Sequence, residues 1–492
     1  MVRTAQATEP APTPEPPQPA PPTLKRQVIR GSLQTILFYG TTQVLRLGLN
    51  LALTRLLFPE VFGTMALCFV ILEGIELFSD VGIRPAVVQS KMGDNRGFLN
   101  TAWTIQIVRG VLIWFVAMAL GPVAAWIYAP KHAEIASLMP IVGFAAVLSG
   151  LYSTKLFTAM KAMRPGHALA VQLAGQVALI VVMLVLAYTL RNIYALAIGS
   201  LVSPFVQMVV SHLCLPGERN RLHWDREHAR QLFRYGRWVF VSTLFTFLAR
   251  QTDRFVLAGY LSEATFGVYN IALVGQGMCL GVVTQVVEWI AFPAYARTLN
   301  AGGDVHVHFA RVSGIVQLCA GAMVAALIAG APALIDLLYP DHYLQAGWML
   351  RMLGLVAWFS VLEACCSSLV KALATNQWMA AGHAAKFVLL LAAIPIGWSL
   401  GGLEGALIGM IVADVGRYAV AAFGLARQGY SVFARDTATT VLLIASVLLG
   451  TRADAAAIDL PLLVRVLVVG GVATLPWLPP LAAMLLAERR RG

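Results

Sequence analysis

The sequence predicts an all-α integral membrane protein of about 14 transmembrane helices, arranged as two pseudo-symmetric six-helix lobes followed by a C-terminal helix pair. Three observations predict it: a shortage of charged residues, a one-sided distribution of the basic ones, and two echoes between the halves of the chain. Of the 492 residues, 58% are hydrophobic and 12% charged, and the mean hydropathy is +0.73. A soluble domain carries roughly 25% charged residues, so a chain of this length could not cover a water-facing surface. The apolar excess has to face lipid.

A span takes about 20 mostly apolar residues. On that measure, helices are expected over 33–57, 61–87, 98–122, 135–157, 167–190 and 193–214. After a polar break they resume over 236–259, 262–292, 308–331, 345–373, 377–399 and 402–426, and end with 436–451 and 460–486. The chain divides accordingly into a first lobe over 31–215, a basic linker over 216–235, a second lobe over 236–428, and a final helix pair with a basic end over 429–492. Residues 1–30 form a polar tail with eight prolines between Pro10 and Pro22 and basic residues at Lys25, Arg26 and Arg30. Such a segment cannot build a core and is expected to be disordered, locally polyproline II. The six cysteines lie in apolar segments without metal-ligand spacing, so they read as small buried hydrophobes rather than a disulfide or zinc framework.

Basic residues gather in the cytoplasmic loops of membrane proteins. With the tail inside, the cytoplasmic segments hold 21 Lys and Arg, including the run from Arg219 to Arg237 and the closing Arg489 to Arg491. The opposite loops hold three, Lys131, Arg191 and Arg452. Both termini are therefore expected in the cytoplasm. The net charge of +12 is this bias and not a sign of nucleic-acid binding.

The repeat shows in two turns. Leu57 to Gly63 and Leu261 to Gly267 both read L-x-x-x-x-F-G, 204 residues apart, and Tyr128-Ala-Pro130 is echoed by Tyr339-Pro340. The same offset carries Arg46 onto Arg250. Both fall roughly 20 Å along their helices, near the middle of the membrane, where an arginine is costly unless it faces a cavity or a partner. Two at equivalent places could face each other across a central cleft.

Span seven also carries Asp253 and Arg254, on the face of Arg250. An ion pair of Asp253 with either arginine would leave the other available to an anion. Span two carries a stripe of Glu73, Glu76, Asp80 and Arg84. Glu73 and Glu76 could hold a coupling cation, either H+ or Na+, or simply pair with Arg46 or Arg109. Among the other charges within spans, Lys386 is expected to face inward, whereas Arg351 and Arg417 could snorkel to an interface. Basic groups at depth suit an anionic substrate, and guanidinium matches phosphate oxygens especially well. No GxSxG, Walker A or HExxH motif and no metal-spaced His/Asp cluster is present, so no catalytic residue, metal site or cofactor is expected and the chain does not read as an enzyme.

The stretch Arg55-Leu-Leu-Phe-Pro-Glu-Val-Phe-Gly63, with Asp80-Val-Gly-Ile83, Val87-Val-Gln89 and Asn100-Thr101, resembles the polysaccharide-export flippases of the multidrug/oligosaccharidyl-lipid/polysaccharide superfamily. So does Asp253-Arg254 followed by Leu261, Phe266-Gly267 and Tyr269-Asn270. The resemblance covers roughly residues 33–430, and the last two spans look like the fourteen-helix branch. It implies alternating access between two lobes around a cationic cavity, moving undecaprenyl-pyrophosphate-linked oligosaccharide from the cytoplasmic to the periplasmic leaflet of a bacterial inner membrane. The expected pyrophosphate ligands are Arg46 and Arg250, helped by Arg109, Arg254 and Lys386, with Glu73, Glu76 and Asp253 as candidates for ion coupling. Polysaccharide assembly proteins, such as a polymerase and a chain-length regulator, are the expected protein partners besides membrane lipid. The alternatives are export of lipid II or a small molecule, a glycan polymerase or ligase, and a scaffold that docks through its tail. A polymerase or ligase would need a sizeable extracytoplasmic loop, which the span map lacks.

Overall fold

The structure, a computed structural model, describes residues 24–79, 83, 87, 92, 95–128, 131–132, 134–161, 165–287, 291–300, 302–303, 305–373, 375 and 377–489. Most of the expected tail and the charges Asp80 and Arg84 of the span-two stripe lie outside those residues. Among the described residues every regular element is a helix. The first half contains α1 (Leu24–Leu56), α2 (Pro59–Phe78), α3 (Arg96–Ile127), α4 (Ile135–Gly150), α5 (Lys155–Lys161), α6 (Pro165–Leu190), α7 (Ile193–Ser200) and α8 (Val202–Leu213). The second contains α9 (Arg226–Tyr260), α10 (Glu263–Val286), α11 (Phe292–Asn300), α12 (Val305–Leu338), α13 (Ala346–Ala372) and α14 (Gln377–Ala426). Then come α15 (Phe433–Ala456), α16 (Leu462–Thr474) and α17 (Leu478–Arg489).

Local chemistry explains where several of these begin and end. Pro59 stands in the first turn of α2, where its missing N–H leaves no bond unmade. α2 runs to Phe78, and the Ser79 hydroxyl donates back to the carbonyls of Ile75 and Glu76, at 2.9 and 3.0 Å; most of the remainder of the span expected over 61–87 lies outside the described residues. Asn95 caps α3 by accepting from the N–H groups of Gly97 and Phe98. Asp225 does the same for α9 with Glu227 and His228, so that helix starts ten residues earlier than the apolar pattern alone suggests, inside the basic linker. The span expected over 193–214 is divided at Leu201, where Pro204 cannot donate to the carbonyl of Ser200. The break expected between 399 and 402 is a kink inside α14, at Gly401 and Gly402. Gly402 has φ +57, a left-handed conformation that glycine adopts without penalty.

Ten helices among the described residues are long and apolar enough to cross a membrane. Burial sorts them. In the stretch Ala168–Leu190 only 17% of the best apolar window is buried, whereas in Asp341–Ala372 the share is 78%. The first faces lipid and the second is core. Around α13 pack α12, α10 and α14, with α15 and α16 lying against the outside of α12. Two buried carboxylates fasten that outer pair. Asp436 accepts from Gln317, Tyr418 and Arg435, and Asp454 accepts from Arg465 at 2.7 Å and Arg351 at 3.3 Å. Arg351, for which snorkelling is one expectation, is tied to Asp454 of α15 with 34% of its side chain exposed. Cys214 and Cys319, expected to be buried, are exposed, and all six cysteines are free.

The two turn echoes meet. A Cβ on Gly63 would lie 2.2 Å from the carbonyl oxygen of Glu263, and one on Gly267 would lie 1.8 Å from that of Pro59. Pro59 and Glu263 are themselves 204 residues apart, so α2 and α10 cross by a reciprocal contact that only glycine permits at both points. The tyrosines of the second echo behave alike. Tyr128 donates to the carbonyl of Phe255 on α9, and Tyr339 donates to Asn50 on α1. With Tyr343 donating to the carbonyl of Leu57, and Lys131 to those of Gly259 and Tyr260, these bonds tie the halves together at one end of the molecule.

His132 sits in the α3–α4 connection at this end, fully buried, with Nδ1 3.2 Å from the Thr64 hydroxyl. Burial, and secondarily the charge of Lys131, pushes its pKa down from 6.5 to about 4. Between those values an unfolded chain takes up a proton that the folded one refuses. Stability is therefore expected to fall as pH drops from 6.5 towards 4 and to level off below. Thermal unfolding across that window should show the slope. It should flatten in His132→Gln, and an unchanged slope would locate the effect elsewhere.

Candidate functional site

A cavity of about 800 Å³ opens between α9, α10, α13 and both arms of α14, with one residue, Glu73, from α2. Its charged lining consists of Glu73, Arg250, Asp253, Arg254, Glu363, Lys371, Lys386 and Arg417. Charged side chains are costly against lipid, and these face the interior instead.

The charges are not equivalent. Three of these groups, Glu363, Lys386 and Arg417, form a buried network with Asp414 behind the lining. Lys386 Nζ lies 2.7 Å from Asp414 Oδ2, and Arg417 lies 2.9 Å from Asp414 Oδ1 and 3.5 Å from Glu363 Oε2. Ser360 donates to Asp414 and accepts from Arg417, and Ser367 donates to Glu363. Arg417, expected to snorkel, is instead held in the wall. Both cations in this network are neutralised.

Arg250 and Arg254 are different. Neither has a carboxylate within ion-pair distance among the described residues. Arg250 is exposed to the cavity, and Arg254 donates to the neutral amide oxygen of Gln251 at 3.1 Å. The expected ion pair with Asp253 is not made. Asp253 accepts from the Tyr269 hydroxyl at 2.6 Å instead, a bond available because Tyr269 is fully buried one helix away. Glu73 accepts from Gln251 Nε2 at 2.7 Å, not from Arg46 or Arg109.

The remaining expected residues lie elsewhere. Arg46 is exposed on α1 and is not among the residues lining this cavity. Arg109 and Glu76 line a separate cavity of about 170 Å³ between α2, α3 and α4. There Arg109 donates to Ser79 at 3.1 Å and to the backbone carbonyl of Glu76 at 2.6 Å. Among the described residues, no group of three or more His, Cys, Asp or Glu could hold a metal ion. Gln251 and Ser360 carry much of the site's polar wiring. Sequence reasoning passes over them because nothing marks a neutral side chain on an apolar helix as functional.

Among the described residues the protein is all-helical, with a charged internal cavity between helix groups, an architecture found in transporters. The chain is a member of the polysaccharide biosynthesis protein family, whose model matches residues 52–347, more than half of it. The lipopolysaccharide biosynthesis protein WzxC of Escherichia coli (strain K12) is 20% identical over 397 residues, covering 80% of this chain and 79% of that protein. Among solved structures, the lipid II flippase MurJ in an inward closed conformation superposes with a TM-score of 0.70 at 11% identity, covering 90% of this chain and 98% of the other. An inward-facing multidrug resistance MATE transporter superposes with a TM-score of 0.61 at 16% identity, covering 81% and 95%. The fold is that of the multidrug/oligosaccharidyl-lipid/polysaccharide superfamily, as the motifs around Gly63 and Asp253 imply.

Proposed function

We propose that the protein moves an anionic, pyrophosphate-linked lipid oligosaccharide across a bacterial inner membrane by alternating access, in the service of exopolysaccharide, capsule or O-antigen assembly. The observation that carries this reading is the pair Arg250 and Arg254. They are the cavity arginines without a carboxylate partner, at guanidinium geometry suited to phosphate oxygens. Lys386, neutralised by Asp414, is better suited to shaping the wall than to gripping substrate. Arg46 and Arg109, outside this cavity, are left out of the proposed grip. Polysaccharide assembly fits the polysaccharide biosynthesis family, and the similar proteins are named a lipopolysaccharide biosynthesis protein and a lipid II flippase.

In this reading α1, α4 and α9 also cross the membrane, and α14 crosses twice about Gly401 and Gly402. Together with the other apolar helices these make fourteen spans, grouped as two six-helix lobes and a terminal pair. The reciprocal glycine contact of α2 and α10 is the periplasmic seam between the lobes, and both termini are cytoplasmic. Purified protein in liposomes, given a fluorescent pyrophosphoryl-lipid oligosaccharide, is expected to expose the label to an impermeant quencher on the far leaflet much faster than empty liposomes do. Equal rates would reject the reading. Faster movement of a neutral lipid glycan than of the pyrophosphate would reject its anionic part.

A further inference from the structure

Gln251 is 7% exposed, yet its amide joins two opposite charges on different helices. Nε2 donates to Glu73 Oε2 at 2.7 Å, and Oε1 accepts from Arg254 Nη1 at 3.1 Å. A carboxylate only accepts and a guanidinium only donates, so one of the two amide orientations satisfies both and its flip satisfies neither. Glu73 belongs to α2, whereas Gln251 and Arg254 belong to α9. The helices cross where Phe247 packs on Phe78, at 6.3 Å between ring centroids, and where a Cβ on Gly74 would sit 3.0 Å from the Phe247 ring. A neutral amide holds Arg254 in place without cancelling its charge, which a carboxylate at this position would do.

We infer that Gln251 is a positioning residue that sets anion capture at Arg254 in competition with the α2–α9 contact. The inference rests on the proposed pyrophosphate site. When a phosphate oxygen takes the Arg254 guanidinium, Oε1 loses its donor and the amide is anchored at one end only. Its rotamer freedom returns, and its hold on Glu73 weakens. Coupling between two binding events is reciprocal, so a stronger tie to Glu73 also weakens the anion. Gln251 thereby links arrival of the substrate's charged group to loosening of the α2–α9 contact.

The test uses full-length protein in nanodiscs with its six cysteines replaced, carrying Gly74→Cys and Phe247→Cys, and a short bifunctional thiol reagent that reports the α2–α9 contact. The probe is a short-prenyl pyrophosphoryl monosaccharide, whose binding is measured separately by calorimetry. Saturating probe is expected to slow cross-linking at least about fivefold. With Gln251→Leu added, cross-linking should already be slow and should not respond to a probe that still binds. In the exchange variant, Glu73→Gln with Gln251→Glu, the amide and carboxylate trade places and the tie re-forms. The carboxylate now also pairs with Arg254, so fast cross-linking should return while the probe binds at least about fivefold more weakly. A residue that served packing alone would not separate the two readouts in this way. Equal slowing by probe with and without Gln251→Leu, or an exchange variant that folds but does not recover its cross-linking, would overturn the inference. Probe that binds without slowing the wild-type background overturns it alone, whereas probe that fails to bind removes the anion reading beneath it.

Discussion

Replacing Arg250 and Arg254 together by alanine is expected to abolish surface polysaccharide and to lower pyrophosphate-lipid movement in liposomes by on the order of 100-fold or more, with the protein still folded in the membrane. A hydrogen bond to a charged group contributes about 1.5–3 kcal/mol, and a phosphate held between two guanidiniums loses more than one such bond. Each single alanine variant should fall between the wild type and the double. Arg250→Lys keeps the charge but loses the planar fork, so it should restore part of the activity, and more at low ionic strength. Folding should be little affected, because Arg250 is exposed to the cavity and Arg254 touches only a neutral amide. Arg46→Ala is the control, expected to retain movement within a few-fold, because that side chain lies outside the cavity lining. If Arg46→Ala failed as completely as the double variant, the grip would be shared across α1 and α9, as the 204-residue repeat first suggests.

That contrast shows what the sequence could and could not reveal. Spans such as 167–190 are legible because lipid demands an unbroken apolar run and tolerates little else. The turn echoes are legible for a different reason. Gly63 and Gly267 each meet a backbone carbonyl closer than any Cβ allows, so both turns require glycine at the same place and the echo shows in the sequence. The offset then carries Arg46 onto Arg250 as a matter of arithmetic, but a repeat fixes equivalence of position and not contact. In this structure α2 meets α9, and Arg250 lines the cavity there while Arg46 is not among its lining residues. Partners are the least legible layer. Asp253 chooses Tyr269 over two neighbouring arginines, and Arg351 finds Asp454 more than a hundred residues away. Each choice is made by packing between helices, which one-dimensional spacing does not encode.

Arg417 is the clearest such case, and it leads to the second large effect. Asp414 is 1% exposed and accepts from Arg417 and Ser360 while pairing with Lys386. Removing one partner of a buried ion pair leaves an uncompensated charge and costs about 3–5 kcal/mol. Asp414→Ala strands two cations against Glu363 alone, so it should lie at the upper end of that range and unfold the protein at markedly lower temperature or detergent concentration. Asp414→Asn keeps the shape and one acceptor, and should cost less. The deciding variant removes charge in pairs. Asp414→Leu with Lys386→Met leaves Arg417 with Glu363, and replacing a buried pair by apolar residues of similar volume is often close to neutral. The double variant is therefore expected to be more stable than Asp414→Ala, and to retain anion binding at Arg250 and Arg254. If it were less stable than Asp414→Ala and had lost the anion as well, Lys386 would belong to the substrate grip and not to the wall.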